Sequence, residues 1–319
     1  MPQKKKKYRI FIGCGLIGLI TLSGCANKSR EQATTRTFPM ATVPTVYTDP
    51  RARAEYLTMH YWDHFDFNDT AYVGSAAQIT EQAIVDYISV LPYASYPVIC
   101  NGIKHLMDEA EKNEAMYAFF SSQMEHYLFE LNSTLRNDEL YIPVLEHMAS
   151  SNTLNEPRKT RPKALLEQLQ KNRPDTQAAD IHYTLASGAK SSLHDVKAEF
   201  ILILFHNLDC GNCKELTKQI DASPVIKEMQ KRKRLTILAI YPGQDPEAWK
   251  KHLAEMPASW INAYDHDAEI HTQEVYALRI IPTLYLVDRN HRVLMKDAPF
   301  NYVEYYLNNI LKPQTSTNP

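Results

Sequence analysis

One run, Phe200 to Leu216, restricts most severely what this 319-residue chain can become. Phe200 to Phe205 reads Phe-Ile-Leu-Ile-Leu-Phe, six apolar residues in a row. It is short enough and β-branched enough for a strand buried on both faces. His206-Asn207-Leu208-Asp209 makes a turn, and Cys210-Gly211-Asn212-Cys213 leads into a helical pattern with Leu216 and Ile220 inside. The Cys-x-x-Cys therefore falls where a strand ends and a helix begins. A helix N-terminus presents unpaired N–H groups and partial positive charge, which stabilise a thiolate at Cys210 and lower its pKa. Cys213 lies one helical turn on, close enough to close a disulfide. The first sulfur is placed to attack a partner's disulfide and the second to displace the partner. Two plainer readings compete. A zinc half-site needs a second ligand pair, and the sequence has no other paired cysteines. A purely structural disulfide at a helix start would be cramped and reducible.

A second stretch bears on the choice. In Tyr276-Ala277-Leu278-Arg279-Ile280-Ile281-Pro282-Thr283-Leu284-Tyr285-Leu286-Val287-Asp288, a proline opens an apolar strand 69 residues after Cys213. Together the two stretches resemble the thioredoxin superfamily. The resemblance implies a cis proline facing the Cys-x-x-Cys. Proline alone takes a cis bond cheaply, which makes Ile281-Pro282 the candidate for that bond and for the substrate groove. It implies catalysis by Cys210 and Cys213 with no cofactor and no metal. The chain departs from the thioredoxin pattern in three places. Gly211-Asn212 stands where thioredoxin has Gly-Pro, and Asp209 where it has tryptophan. Leu204 replaces the buried carboxylate that helps proton transfer to the resolving cysteine. Asp209 would oppose thiolate formation at Cys210 through like charge. Asp245, after the next core strand, is a candidate substitute base. Its plainer reading is a helix N-terminal acid beside Pro246.

The beginning of the chain carries an address. Lys4-Lys5-Lys6-Lys7 and Arg9 precede a 13-residue apolar run, Ile10 to Leu22, too short for the about 20 residues of a membrane span. The run closes in Leu22-Ser23-Gly24-Cys25, which resembles the lipobox of bacterial lipoproteins. That likeness implies cleavage before Cys25 and acylation of its sulfur. An ordinary signal peptide with a chance cysteine is the alternative. Removing residues 1–24 takes five basic and no acidic residues with it, carrying the formal net charge from −2 to −7. Such a balance argues against nucleic acid as a partner. Export places Cys100, Cys210 and Cys213 in an oxidising compartment. Cys100 lies in an apolar helical stretch and reads as an inert buried thiol.

The expected organisation is a signal peptide at 1–24, a flexible tether at 25–49, an all-α domain at 50–172, an α/β thioredoxin-like fold at 174–312 and a disordered tail at 313–319. Helices are expected from Pro50 through the aromatic run to Phe65, from a Thr80 cap, from Ser95 to Glu111, from Glu114 to Leu131, from Asp138 to Met148 and from Ala164 to Gln170. This half resembles a helical domain of unknown function that precedes thioredoxin-like domains in some bacterial lipoproteins, through Arg53-Ala54-Glu55-Tyr56 and His60-Tyr61-Trp62-Asp63-His64-Phe65-Asp66-Phe67. His60 and His64 share a helix face, but their neighbours favour a packed aromatic face over a metal site. In the C-terminal half, Ile181–Leu185 and Ser192-Leu193 resemble the N-terminal hairpin of the TlpA-like branch. A strand at Leu235–Tyr241, a helix over Glu269–Leu278, a hairpin across Asp288–His291 and a helix from Tyr302 to Leu311 complete the expected order.

These features lead to the expectation of a lipid-anchored thiol–disulfide oxidoreductase in the cell envelope, on the outer membrane facing the periplasm. Its partners would be oxidised cysteine-containing envelope proteins, with a membrane thiol reductase as electron donor. The rival is a binding or adaptor lipoprotein that keeps the fold as a scaffold. A peroxiredoxin would normally have a threonine two or three residues before its reactive cysteine, and His206–Asp209 offers none.

Overall fold

The computed structural model describes residues 36–312. The basic leader, the lipobox with Cys25, the start of the tether and the tail from 313 lie outside the described residues. Among the described residues, those from Phe38 to Lys312 belong to one compact body. Its first part is helical: α1 (Pro50–His60), α2 (Ala77–Val90), α3 (Tyr96–Glu111), α4 (Glu114–Leu128), α5 (Asp138–Ser150) and α6 (Glu156–Leu169). Short polar residues fix where these helices start. Asp49 accepts a hydrogen bond from the Ala52 N–H at 2.9 Å with Pro50 as the first helical residue, and Asn113, Asn137 and Asn155 cap α4, α5 and α6.

The apolar faces close over a core in which Ile84, Tyr87, Leu91, Ile103, Leu106 and Phe120 are fully buried. Gly102 permits the closest approach: a Cβ there would stand 2.4 Å from the Thr58 carbonyl oxygen and 2.9 Å from the Tyr87 hydroxyl. That hydroxyl donates to the same carbonyl.

Four expectations for this half need correcting. Tyr61, Trp62 and Phe65 follow α1 in turns rather than extending it, because their rings are buried against Tyr87 and Phe120. Thr80 is inside α2, and its hydroxyl donates to the Tyr72 carbonyl instead of capping. The sixth helix starts eight residues before Ala164, with Asn155 capping and Pro157 in its first turn. The expected tether overruns into packed chain, since Phe38 stacks on Tyr61 at 5.1 Å and touches Trp62 and Phe65.

The second part is a seven-stranded mixed sheet. Its strands are β1 (His182–Leu185), β2 (Lys190–Ser192), β3 (Phe200–Phe205), β4 (Leu235–Tyr241), β5 (Ile261–Tyr264), β6 (Thr283–Asp288) and β7 (Val293–Lys296), in the spatial order β2-β1-β5-β4-β3-β6-β7. β3, β4 and β5 run parallel, β6 is antiparallel to β3, and β7 is antiparallel to β6. Period-two alternation sorts β3 between two cores. Ile201, Ile203 and Phe205 face Ile181, Tyr183 and Tyr276. Leu202 and Leu204 face the helices α7 (Gly211–Ala222), α8 (Pro224–Lys231) and α11 (Phe300–Leu311). The helix α9 (Pro246–His252) crosses from β4 to β5.

The helix expected over Glu269–Leu278 stops at Thr272, as α10 (Glu269–Thr272). Glu274 takes a left-handed φ of 48°, the Val275 carbonyl accepts from Asn172, and the buried Tyr276 hydroxyl donates to the Ala179 carbonyl. These tertiary bonds hold the segment irregular where local pattern favours helix.

Candidate active site

Sheet register builds the site. β3 and β6 are antiparallel with Phe205 opposite Thr283, so the chain leaving β3 runs beside the chain entering β6. The departing chain carries the two cysteines and the arriving one carries Pro282. The Ile281–Pro282 peptide is cis. Cys210 Sγ lies 3.9 Å from the Ile281 carbonyl oxygen.

Cys210 is the N-cap of α7. Its sulfur accepts a hydrogen bond from the Cys213 N–H at 3.1 Å, so one orphan donor of the helix start is spent on sulfur. The two cysteines form a disulfide with Cα atoms 5.1 Å apart. They are unequal in access: Cys210 is half-buried, whereas Cys213 is 2% exposed. A bulky partner can reach the first sulfur and not the second. The disulfide thus has one sulfur at the surface and one enclosed.

The other residues singled out in the sequence fall as follows. Asp209 is exposed one residue before Cys210. Asp245 caps α9, and its carboxylate accepts from the Ala248 N–H at 2.9 Å. Leu204 is fully buried in the α7 face of the sheet. Cys100 is remote in sequence on α3, half-buried, with its thiol pushed up by burial. His60 Nδ1 is 2.7 Å from Asp63, and the His60 ring packs on Tyr56 at 4.4 Å.

Sequence reasoning passed over three features near the cysteines. His206, the residue after β3, is 2% exposed, with its ring 5.9 Å from that of His252 on α9. Burial pushes its imidazole down to about 4, and the charge of His252 acts in the same direction. So low a pKa makes His206 neutral at pH 7 and a weak acceptor for a thiol proton. Lys214, next to Cys213, pairs with Glu255 at 3.0 Å. The third is Arg136, from the loop between α4 and α5. It lines the same cleft of about 330 Å³ as Asn212 and Pro282. No periodicity or motif marks Arg136, because its position depends on how the helical part packs on the sheet.

Comparison with known proteins follows the same division. Residues 22–172 match the model of a domain of unknown function, DUF5106, and residues 198–293 match a thioredoxin-like family. None of the curated proteins matches the chain. Among solved structures, a thioredoxin-like protein from Bacteroides caccae is 40% identical with a TM-score of 0.82, over 88% of this chain and 100% of its own. A C-terminal domain of an uncharacterized protein from Bacteroides fragilis is 42% identical over 43% of this chain and 98% of its own, with a TM-score of 0.42. The thioredoxin domain of a thiol-disulfide oxidoreductase from Bacteroides vulgatus is 22% identical over 44% of this chain and 99% of its own, with a TM-score of 0.38. The Bacteroides caccae protein is matched along its whole length, helical part and redox corner together, and on that ground the chain belongs to the thioredoxin-like proteins.

Proposed function

We propose that the chain is a thiol–disulfide oxidoreductase of the cell envelope that reduces disulfides of partner proteins. The observation that carries this reading is the unequal disulfide at the start of α7, with one sulfur half-buried and the other enclosed, beside the cis prolyl bond. In the reduced form, the Cys210 thiolate attacks one sulfur of a partner's disulfide and expels the other as a thiolate. Cys213 then attacks Cys210, forming the 210–213 disulfide and releasing the partner's first sulfur. Two electrons pass from the dithiol to the partner. A membrane thiol reductase of the same compartment resets the pair. Ile281, just outside β6, makes no backbone hydrogen bond to another backbone group among the described residues. It is free to pair with an extended substrate chain.

The location belongs to the same proposal. Cys25 anchors the protein through its lipid to the outer membrane, facing the periplasm, and oxidised envelope proteins are its substrates. Among the described residues no helix is long and apolar enough to cross a membrane.

The test is asymmetric trapping. Cys213→Ser keeps the attacking sulfur and loses the resolving one, so covalent partner adducts on Cys210 should accumulate in envelopes and be identifiable by mass spectrometry. Cys210→Ser should trap nothing. Equal trapping by both variants, or none by either, would defeat the oxidoreductase reading in favour of an adaptor.

A further inference from the structure

His206 is a buried polar side chain to which the redox steps above give no task. It is 2% exposed, and among the described residues its ring makes no hydrogen bond. Its backbone N–H donates to the Ile240 carbonyl at 3.1 Å, so His206 carries the ladder between β3 and β4 one residue further. Alternation along the strand then sets its side chain on the face of Leu202 and Leu204, which α7 covers.

The buried stripe of α7 is Cys213, Thr217 and Ile220, and Ile220 packs in one cluster with Leu202 and Leu204. Seven residues of helix carry the stripe about 10 Å back from Ile220 to Cys213. Two residues of strand carry β3 about 7 Å onward from Leu204 to His206. The first buried residue of the helix and the last of the strand therefore meet at the same end of the layer. A side contact closes that end. The His206 ring lies 5.9 Å from that of His252. Glu255, in the turn after α9, stands 3.8 Å from His252 Nδ1 and holds Lys214, the residue after Cys213, at 3.0 Å. One corner thus fastens both ends of the segment 206–214.

We propose that in the reduced protein His206 accepts a hydrogen bond from the Cys213 thiol, and that this bond tempers the reducing power of the pair. The inference rests on the oxidoreductase reading and adds to it what sets the poise of the dithiol.

Burial holds the imidazole down to about 4, so at pH 7 one ring nitrogen carries a proton and the other is a bare acceptor. In the disulfide, the Cys213 sulfur has no proton to give. Reduction adds two electrons and two protons and breaks the bond between the sulfurs. Cys213, itself 2% exposed, then holds an S–H away from solvent, at the end of the layer where His206 is unpaired. Cys210 is placed differently: its sulfur already accepts from the Cys213 N–H at 3.1 Å and is half-buried rather than enclosed. Because the bond exists in the dithiol and not in the disulfide, it favours the dithiol. When Cys213 attacks a mixed disulfide at Cys210, the bond from Cys210 to the partner breaks. The partner's sulfur leaves with the electron pair and takes up the proton that Cys213 gives up, and His206 is unpaired again.

The full-length protein is equilibrated with glutathione and glutathione disulfide, and dithiol and disulfide are counted by alkylation and mass spectrometry. His206→Phe keeps a ring and loses the acceptor. Its equilibrium should move about tenfold toward the disulfide, the worth of one hydrogen bond, which for two electrons is about 30 mV. At least one of His206→Asn and His206→Gln, which supply an acceptor oxygen, should return to within about threefold of wild type. An unchanged equilibrium in His206→Phe, or equal shifts in all three variants, would overturn the proposal. Nitrogen NMR of histidine-labelled protein reads the bond directly, with the His206 signals assigned by their loss in the variants. The acceptor nitrogen should shift when wild type is reduced and stay in place when Cys213→Ala is treated alike. A signal indifferent to reduction, or one that moves equally in Cys213→Ala, refutes the bond. Neither readout needs a partner protein. If Cys213→Ser traps no partner but both readouts hold, the oxidoreductase reading fails and the hydrogen bond stands. If partners are trapped and neither readout changes, the hydrogen bond alone fails.

Discussion

The buried imidazole of His206 makes folding stability depend on acid in a calculable way. In the unfolded chain His206 takes up a proton as the pH falls through about 6.5. In the folded protein it resists protonation until about 4, because burial and the nearby His252 disfavour the charged ring. Between those values the unfolded state binds more protons, so stability falls as the pH falls. Each pH unit in the window costs about 1.4 kcal/mol, and the whole window about 3 kcal/mol. That is a large share of the ~5–15 kcal/mol that hold a domain folded. Other groups titrate nearby. Glu269 raises the pKa of His182, whose contribution is present below about 6.5 and lost as the pH rises through its folded pKa. Asp108, Glu111 and Asp180, lowered in the folded state, withdraw theirs at more acid pH. The measurement is therefore a difference. Urea unfolding of wild type and His206→Phe, which keeps a ring of similar shape in the site, should be compared at intervals from pH 7 to 4. The variant should gain about 3 kcal/mol relative to wild type across that range. Stability curves that stay parallel would refute the claim that a neutral imidazole is buried at the end of β3.

Three further outcomes follow from particular contacts. Gly102→Ala should cost about 1–3 kcal/mol in denaturant unfolding, because the added methyl meets the backbone oxygen of Thr58 and has no flexible neighbour to displace. Arg279→Ala should cost about 3 kcal/mol, because it strands Asp138, only 12% exposed, without its partner; the same loss in an Asp138→Asn variant would tie it to the pair. Cys25→Ala should abolish acylation and cleavage at that position, read by mass spectrometry of the envelope-bound protein, and a mature acylated product from the variant would refute the lipid anchor.

The redox corner was legible because each of its parts is local. A run of six apolar residues, a four-residue turn and a helix start leave little freedom in where Cys210 points, and Ile281-Pro282 was singled out through the resemblance to the thioredoxin superfamily. The helix start at Asp49-Pro50 was legible for the same reason, whereas the one at Asn155 with Pro157 was passed over. What escaped the sequence depends on distant chain. Val275 and Tyr276 look helical, but Asn172 and Ala179, about a hundred residues earlier, bind them in an irregular path. Phe38 lies in a polar, proline-containing stretch and reads as tether. Its burial becomes apparent only once Tyr61, Trp62 and Phe65 are assembled beneath it.

The contact between the helical part and the sheet is built from buried charge rather than from a broad apolar face, and that choice has consequences for the site. Arg279 stands three residues before Pro282. Its guanidinium lies 4.3 Å over the Phe129 ring, donates to the Phe129 carbonyl and pairs with Asp138 in the first turn of α5. Asp297, with its carboxyl pushed up by burial, sits between Arg136 and Arg279. Arg173 closes the same seam from the other side, on Glu139 at 2.6 Å and the Tyr96 hydroxyl at 2.8 Å. Taking such groups out of water is expensive unless every one finds its partner, so the arrangement tolerates one register and penalises a shift. Apolar packing would allow sliding by a fraction of a side chain. Ion pairs at these distances fix the segment 279–282, and with it the carbonyl of Ile281 that faces the Cys210 sulfur. The helical part therefore holds the prolyl loop as well as walling the cleft. Removing it would strip Arg279 of Asp138, Asp297 of Arg136 and Lys296 of the Leu169 and Lys171 carbonyls.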